Sequence, residues 1–183
     1  MIDNKQKIFF GGGCFWCMEA IFQKLQGVEK ITSGYTGGTT KSPSYKNVAT
    51  GSTGHVEVVE VIFDPKMITL NDLLAVFFSS HDPTTQDRQG NDIGSQYRSV
   101  IYYISVNQKN EIEKFIKQLT ADKIFTKSIV TEVKPLDIFY PAEDYHQNYY
   151  QQNRYKNPYC LLVINPKIKK LKKSFAHLLK NKI

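Results

Sequence analysis

The sequence has no long hydrophobic run. Its longest apolar stretches are a few residues, as in Val61-Ile62-Phe63, against the ~20 that a membrane-crossing helix needs. No transmembrane helix and no membrane partner is expected. The first seven residues, Met1 to Lys7, lack the apolar core of a secretory leader, so the expected location is cytoplasmic. Cysteine is scarce: Cys14, Cys17 and Cys160 are all there are. An odd trio does not make the disulfide framework of a small secreted domain, and in a reducing compartment such thiols read first as chemistry. There is no internal repeat, low-complexity tract or linker. There is also no glycine-rich phosphate cradle, so no flavin or nicotinamide cofactor is expected, and no metal.

Acidic residues are missing from one place in particular. The chain carries a formal charge of +7 over 183 residues, yet seven lysines lie among the last 17 residues, which hold no Asp or Glu. The remainder has 17 basic and 17 acidic residues. Ile168, Leu171, Phe175, Leu178 and Leu179 recur at helical spacing, which predicts an amphipathic C-terminal helix over about 166–182 with its lysines in water. Nucleic-acid binding is therefore not expected, and a monomer is.

The pattern along the chain predicts a single α/β (α+β) domain over 1–183, with a core over about 6–164. A mixed sheet is covered by helices and joined by long ordered loops. Strands are expected at 7–10, 28–35, 56–63, 99–105, 129–136 and 161–164. Helices are expected at 14–25, after the Thr69 cap with Leu70, Leu73, Leu74, Phe77 and Phe78 inward, and at 107–121. The polar stretch 81–95 reads as an ordered, functional loop.

Chemistry concentrates at Gly11-Gly12-Gly13-Cys14-Phe15-Trp16-Cys17. A cysteine at a helix start faces unsatisfied N–H groups, which favour thiolate and activate the nucleophile. An inert buried cysteine is the alternative. Cys14-Phe15-Trp16-Cys17 also satisfies C-x-x-C. A structural zinc site would need two further ligands at metal spacing, and Cys160 with His55, His81 or His146 offers no such pair. A thioredoxin-like exchanger fits that motif alone, but not the downstream residues.

Those downstream residues carry a resemblance. They are Gly13-Cys14-Phe15-Trp16, Ser33-Gly34-Tyr35-Thr36-Gly37-Gly38, Tyr45, Thr53-Gly54-His55-Val56-Glu57, His81-Asp82-Pro83-Thr84, Asp87 through Ser99, and His146-Gln147. In this order and spacing, over roughly residues 6–164, the chain resembles the peptide-methionine (S)-S-oxide reductases, the A-type methionine sulfoxide reductase family. The resemblance implies a thiol-dependent reduction of methionine S-sulfoxide, free or in oxidised proteins. Cys14 would be the nucleophile and Glu57 the proton donor to the sulfoxide oxygen, with Tyr45 and Tyr97 assisting. Asp92 would organise the site, although a turn residue is its plain alternative. Phe15 and Trp16 would cage the S-methyl group, core packing being theirs.

Cys14 would be left as a sulfenic acid, resolved by a second thiol and recycled by thioredoxin. Cys160 matches the family's recycling position and is expected to resolve first. Cys17, about 5–6 Å from Cys14 by helical spacing, is left as a second relay. His55 and His81 read as structural, and His146 and Tyr149 as bordering the site.

Overall fold

The computed structural model describes residues 5–180. The readings made above for the first four residues, and for the far end of the tail helix at Lys182, lie outside that range. Eight strands and six helices alternate as β1 (Gln6–Gly11), α1 (Phe15–Phe22), β2 (Val28–Thr36), α2 (Tyr45–Ala49), β3 (Val56–Phe63), α3 (Leu70–Ser80), β4 (Arg88–Gln89), β5 (Asp92–Ile93), β6 (Val100–Tyr103), α4 (Val106–Ala121), β7 (Glu132–Pro135), β8 (Phe139–Pro141), α5 (Tyr149–Asn153) and α6 (Asn165–Ser174). Six strands form one mixed sheet in the order β7-β6-β1-β3-β2-β8, parallel only between β6 and β7. The α/β reading holds.

The valine-rich β3 occupies the middle because both its faces are covered. Val59, Val61 and Phe63 join the larger core beneath α1 and α3, while Val56 and Val58 pack with Phe9, Val100 and Tyr102 on the opposite face. α1 crosses β2 and β3 and ends after Phe22, sooner than the periodicity implies. The chain turns through Leu25 and through Gly27, which has φ 83°. That left-handed angle suits glycine.

Three further segments differ from expectation. Residues 45–49, given no element in the sequence pattern above, form a short helix, because Ser44 and Asn47 make a reciprocal capping box. The 81–95 loop contains the β4–β5 hairpin. Residues 160–164 are not a strand but a π-helical turn leading into α6. Four apolar residues in a row fit a buried strand or a buried helix equally well. Pro166, in the first turn of α6, decides for the helix.

α6 ends at Ser174, short of the predicted extent. Phe175 leaves helical geometry, Leu178 accepts from the Gln26 N–H, and Leu179 bridges to Leu25. An unbroken helix would carry these groups away from the α1–β2 corner. Nor do all the tail lysines simply face water. Lys167 donates to the Ser80 carbonyl at 2.9 Å and Lys170 to Ser79 at 2.7 Å, while Lys180 donates to Gln23 at 3.0 Å. These ammonium groups satisfy orphan carbonyls at the ends of α3 and α1. No helix among the described residues is long and apolar enough to cross a membrane.

Gly34 lets β8 approach β2. A Cβ there would lie 2.4 Å from the Tyr140 carbonyl oxygen and 2.5 Å from the Phe139 ring. Gly34→Ala is expected to destabilise the fold by about 1–3 kcal/mol, the usual range for overpacking. Urea unfolding checks this, as a lower midpoint at unchanged slope.

Candidate active site

Gly12 and Gly13, which follow β1, turn the chain off the end of that strand and deliver Cys14 to the start of α1. Gly13 has φ 92°, and a Cβ on it would lie 2.7 Å from the Gln89 side chain. Its N–H donates to the Tyr97 carbonyl at 3.1 Å, which ties the Cys14 loop to the turn carrying Tyr97. That turn is fixed in its own right, since Ser95 Oγ donates to Gly51 O at 3.2 Å and Gln96 Nε2 to Ala49 O at 3.3 Å. Both acceptors lie at or just after α2, so Tyr45 and Tyr97 are held by one set of bonds.

Tyr45 opens α2. Its N–H donates to Glu143 Oε1 at 2.8 Å, and the other oxygen of Glu143 accepts from the Tyr35 hydroxyl at 3.0 Å. Glu57 projects from β3, opposite Tyr35 in the β2–β3 register. It is 2% exposed and accepts the Phe15 N–H at 3.0 Å. Glu60, three residues on, is partly exposed and pairs with Lys7 at 3.9 Å.

Burial in these surroundings fixes the protonation pattern. Desolvation pushes the Glu57 carboxyl up to about 8, outweighing the Phe15 N–H that stabilises its charge. Glu57 is thus a neutral acid at pH 7. Burial raises the hydroxyl of Tyr45 to about 12, and that of Tyr97 higher still, with the Glu57 and Cys14 charges adding to both. Both phenols stay donors. Cys14 departs from the activated-thiolate expectation: burial, a hydrogen bond with Cys17 and the nearby Glu57 together hold its thiol well above the ordinary range. The helix-start argument omits this desolvation. It also omits that the first helical N–H points at Glu57 rather than at the sulfur.

Beside Cys14 lies a cleft of about 360 Å³ whose lining includes Cys17, Asp92, Tyr159, Leu162 and Lys167. Asp92, on β5, accepts the Tyr159 hydroxyl at 2.8 Å, and the same hydroxyl lies 3.6 Å from Cys17 Sγ. All three cysteines are free and buried. The hydrogen bond with Cys14 lowers the Cys17 thiol, the reverse of its effect on Cys14. Cys160, fully buried in the π-helical turn, is influenced by Cys17 and raised by burial.

Phe15 is in the core and Trp16 is half-buried at the rim. Trp16 stacks on Tyr149 at 3.6 Å and donates from Nε1 to His146 Nδ1 at 3.1 Å. The structure therefore brings Cys14, Phe15, Trp16, Cys17, Tyr45, Glu57, Asp92 and Tyr97 to one region, and leaves Cys160 beneath it. His55 and His81 have structural partners: His55 contacts Thr40 O and Gly38 N, and His81 contacts Phe77 O and Ser99 Oγ. Among the described residues no group of three His, Cys, Asp or Glu could hold a metal ion.

Sequence reasoning assigned no role to Glu143, Tyr159 or Glu19. Glu19 is buried and accepts the Asn148 and Tyr149 N–H groups at 2.7 and 3.0 Å. Its signal was a carboxylate three residues after Trp16 on an otherwise apolar helix. Tyr159 had only its place beside Cys160.

Comparison with known proteins agrees with this geometry. The model of the family described as peptide methionine sulfoxide reductase matches residues 6–179. The peptide methionine sulfoxide reductase MsrA of Chromobacterium violaceum is 53% identical over 176 residues, covering 96% of this chain and 99% of its own. The structure resembles reduced Mxr1 from Saccharomyces cerevisiae with TM-score 0.78 and 33% identity, over 86% of this chain and 90% of Mxr1. It also resembles Mxr1 solved in complex with Trx2, with TM-score 0.57 and 25% identity, over 81% and 87% of the respective chains. With a family model spanning nearly its whole length and a relative more than half identical, this chain belongs to the peptide methionine sulfoxide reductase family.

Proposed function

We propose that the chain reduces the S epimer of methionine sulfoxide, protein-bound or free, through a Cys14 sulfenic acid. The observation that carries this reading is the Glu57 carboxyl, buried at the start of the helix that presents Cys14 and bonded to the Phe15 N–H, with burial pushing its pKa up to about 8. A sulfoxide sulfur becomes electrophilic only as its oxygen is protonated or strongly hydrogen-bonded, so an acid facing a thiol is what the reaction needs. Glu57 hands its proton to the oxygen, and the Tyr45 and Tyr97 hydroxyls donate hydrogen bonds to it. Cys14 Sγ attacks sulfur, and its thiol proton passes to the Glu57 carboxylate, which restores the acid. The oxygen ends on Cys14, methionine leaves with the electron pair, and Cys14–SH plus sulfoxide become Cys14–SOH plus methionine. Phe15 and Trp16 wall the S-methyl group, and Asp92 orients the substrate.

A second thiol then attacks the sulfenic acid, releasing water and forming a disulfide. Cys17 lies one turn along from Cys14, its N–H bonded to the Cys14 carbonyl at 3.1 Å, while Cys160 is fully buried; this supports Cys17 as first resolver where the sequence points to Cys160. Cys160 then takes the disulfide from Cys17. A dithiol carrier reduces it, and the complex of yeast Mxr1 with Trx2 supports thioredoxin in that role.

The test is single-turnover reduction of both sulfoxide epimers with no external reductant. Only the S epimer should yield methionine, and Cys14→Ser should yield none. Turnover of the R epimer, or methionine formation by Cys14→Ser, would reject the reading. Glu57→Gln keeps a hydrogen-bonding group but no carboxylic proton, so its single-turnover rate should fall by about 10²–10⁴-fold. After one equivalent of substrate, mass mapping should find a Cys14–Cys17 bond in Cys160→Ser; a Cys14–Cys160 bond as the first product in wild type would reverse the order of the relay.

The protonation state of Glu57 also has a stability signature. Its folded pKa, about 8, exceeds the ordinary 4.5, so between those values the folded state holds a proton that the unfolded state has lost. The resulting stability is full below pH 4.5 and is lost as pH rises through about 8. Urea midpoints of Glu57→Gln should fall less than those of the wild type across that window.

A further inference from the structure

Trp16 is the chain's one tryptophan, and its indole is held from two sides by a single segment. Tyr149 stacks on it with planes 6° apart. His146, three residues earlier, accepts its N–H at 3.1 Å. The segment is fixed to the helix that carries Trp16: the buried Glu19 carboxylate grips the Asn148 and Tyr149 amides, with Asn148 at φ 53°. Gln147 ties the same segment to Ser33 of β2, accepting its N–H and donating to its carbonyl, both at 2.9 Å.

The imidazole of His146 is 2% exposed. Its ring centre lies 4.5 Å from that of Tyr45 and 5.1 Å from that of Phe15, so it fills the space between the proposed proton-donor group and the proposed methyl cage. Because Nδ1 accepts the indole N–H, the imidazole proton resides on Nε2. Nε2 is itself buried without a hydrogen-bond partner among the described residues. An unmet buried donor is a standing cost to the fold, so packing alone does not account for a histidine here. Burial keeps the ring neutral, the form that can accept.

We infer that His146 is a positioning residue: by accepting the Trp16 indole N–H it sets the angle of the aromatic wall against the substrate S-methyl group, and so sets the affinity for methionine sulfoxide. The inference rests on the reading of Trp16 as that wall. It assigns His146 to substrate fit, not to proton transfer.

The test uses the full-length chain and two variants. His146→Phe keeps a ring and removes the acceptor. His146→Asn replaces the ring with an amide whose Oδ1 stands near the Nδ1 position. In a proton–nitrogen correlation spectrum, the single indole N–H resonance should move upfield and exchange faster with solvent in His146→Phe, and return toward wild type in His146→Asn. For a peptide containing methionine sulfoxide, His146→Phe should raise KM about tenfold, the scale of a hydrophobic-pocket misfit, while the reductive kcat stays within about threefold. His146→Asn should recover most of the KM, and in a Trp16→Phe background His146→Phe should add little.

An unchanged indole resonance or an unchanged KM in His146→Phe would overturn the inference. So would an Asn variant no better than Phe. The indole signal is read without substrate, so wild-type protein that shows the bond yet reduces no sulfoxide would fault the functional reading instead.

Discussion

One hydrogen bond organises the catalytic corner: the Phe15 N–H, first in α1, reaches the carboxyl of Glu57 on β3 at 3.0 Å. It fixes the helix start against the central strand, and with it the position of Cys14 one residue earlier. A helix N-terminus ordinarily stabilises an anion. Here burial outweighs that effect and keeps the carboxyl protonated, so the group stands ready as an acid. The same burial holds Cys14 as a thiol at rest. In the proposed reaction the substrate oxygen draws that proton from Glu57, which would couple activation of the sulfoxide to its own arrival.

Around that bond the elements are arranged by paired restraints rather than by single contacts. Glu143 joins Tyr35 of β2 to the first turn of α2 and thereby aims Tyr45. The Gly13 amide joins the cysteine loop to Tyr97. Tyr159 joins Asp92 to the chain that carries Cys160, and its contact with Cys17 places one phenol between Asp92 and that thiol. The basic tail finds its structural account in the ends of α3 and α1, whose carbonyls its lysines cap.

Much of this architecture was legible in the sequence because its signals are local and strong. Val56 to Phe63 is a dense β-branched run stopped by Asp64-Pro65, Thr69 caps α3, and Gly27 ends the turn after α1. The family motifs placed Cys14, Tyr45, Glu57, Asp92 and Tyr97 on one list, and the fold brings those residues to one region. What failed depended on tertiary context. The run 161–164 carries no period that separates strand from helix, and it is settled by its packing against α6 and α1. The protonation of Cys14 follows from burial beneath residues that a helix-start argument does not include. The Ser44–Asn47 capping box was readable and marks α2; the roles of Glu19 and Glu143 become visible only once the segment 141–149 folds back over α1 and α2.

The central claim is that a buried, protonated Glu57 supplies the proton that lets Cys14 reduce a sulfoxide. The pH dependence of the single-turnover rate of methionine formation tests it most directly. The account predicts a rate that falls on the alkaline side with an apparent pKa near 8, a limb that disappears in Glu57→Gln. A wild-type rate that stays level through that region, or an alkaline limb that survives in Glu57→Gln, would contradict it.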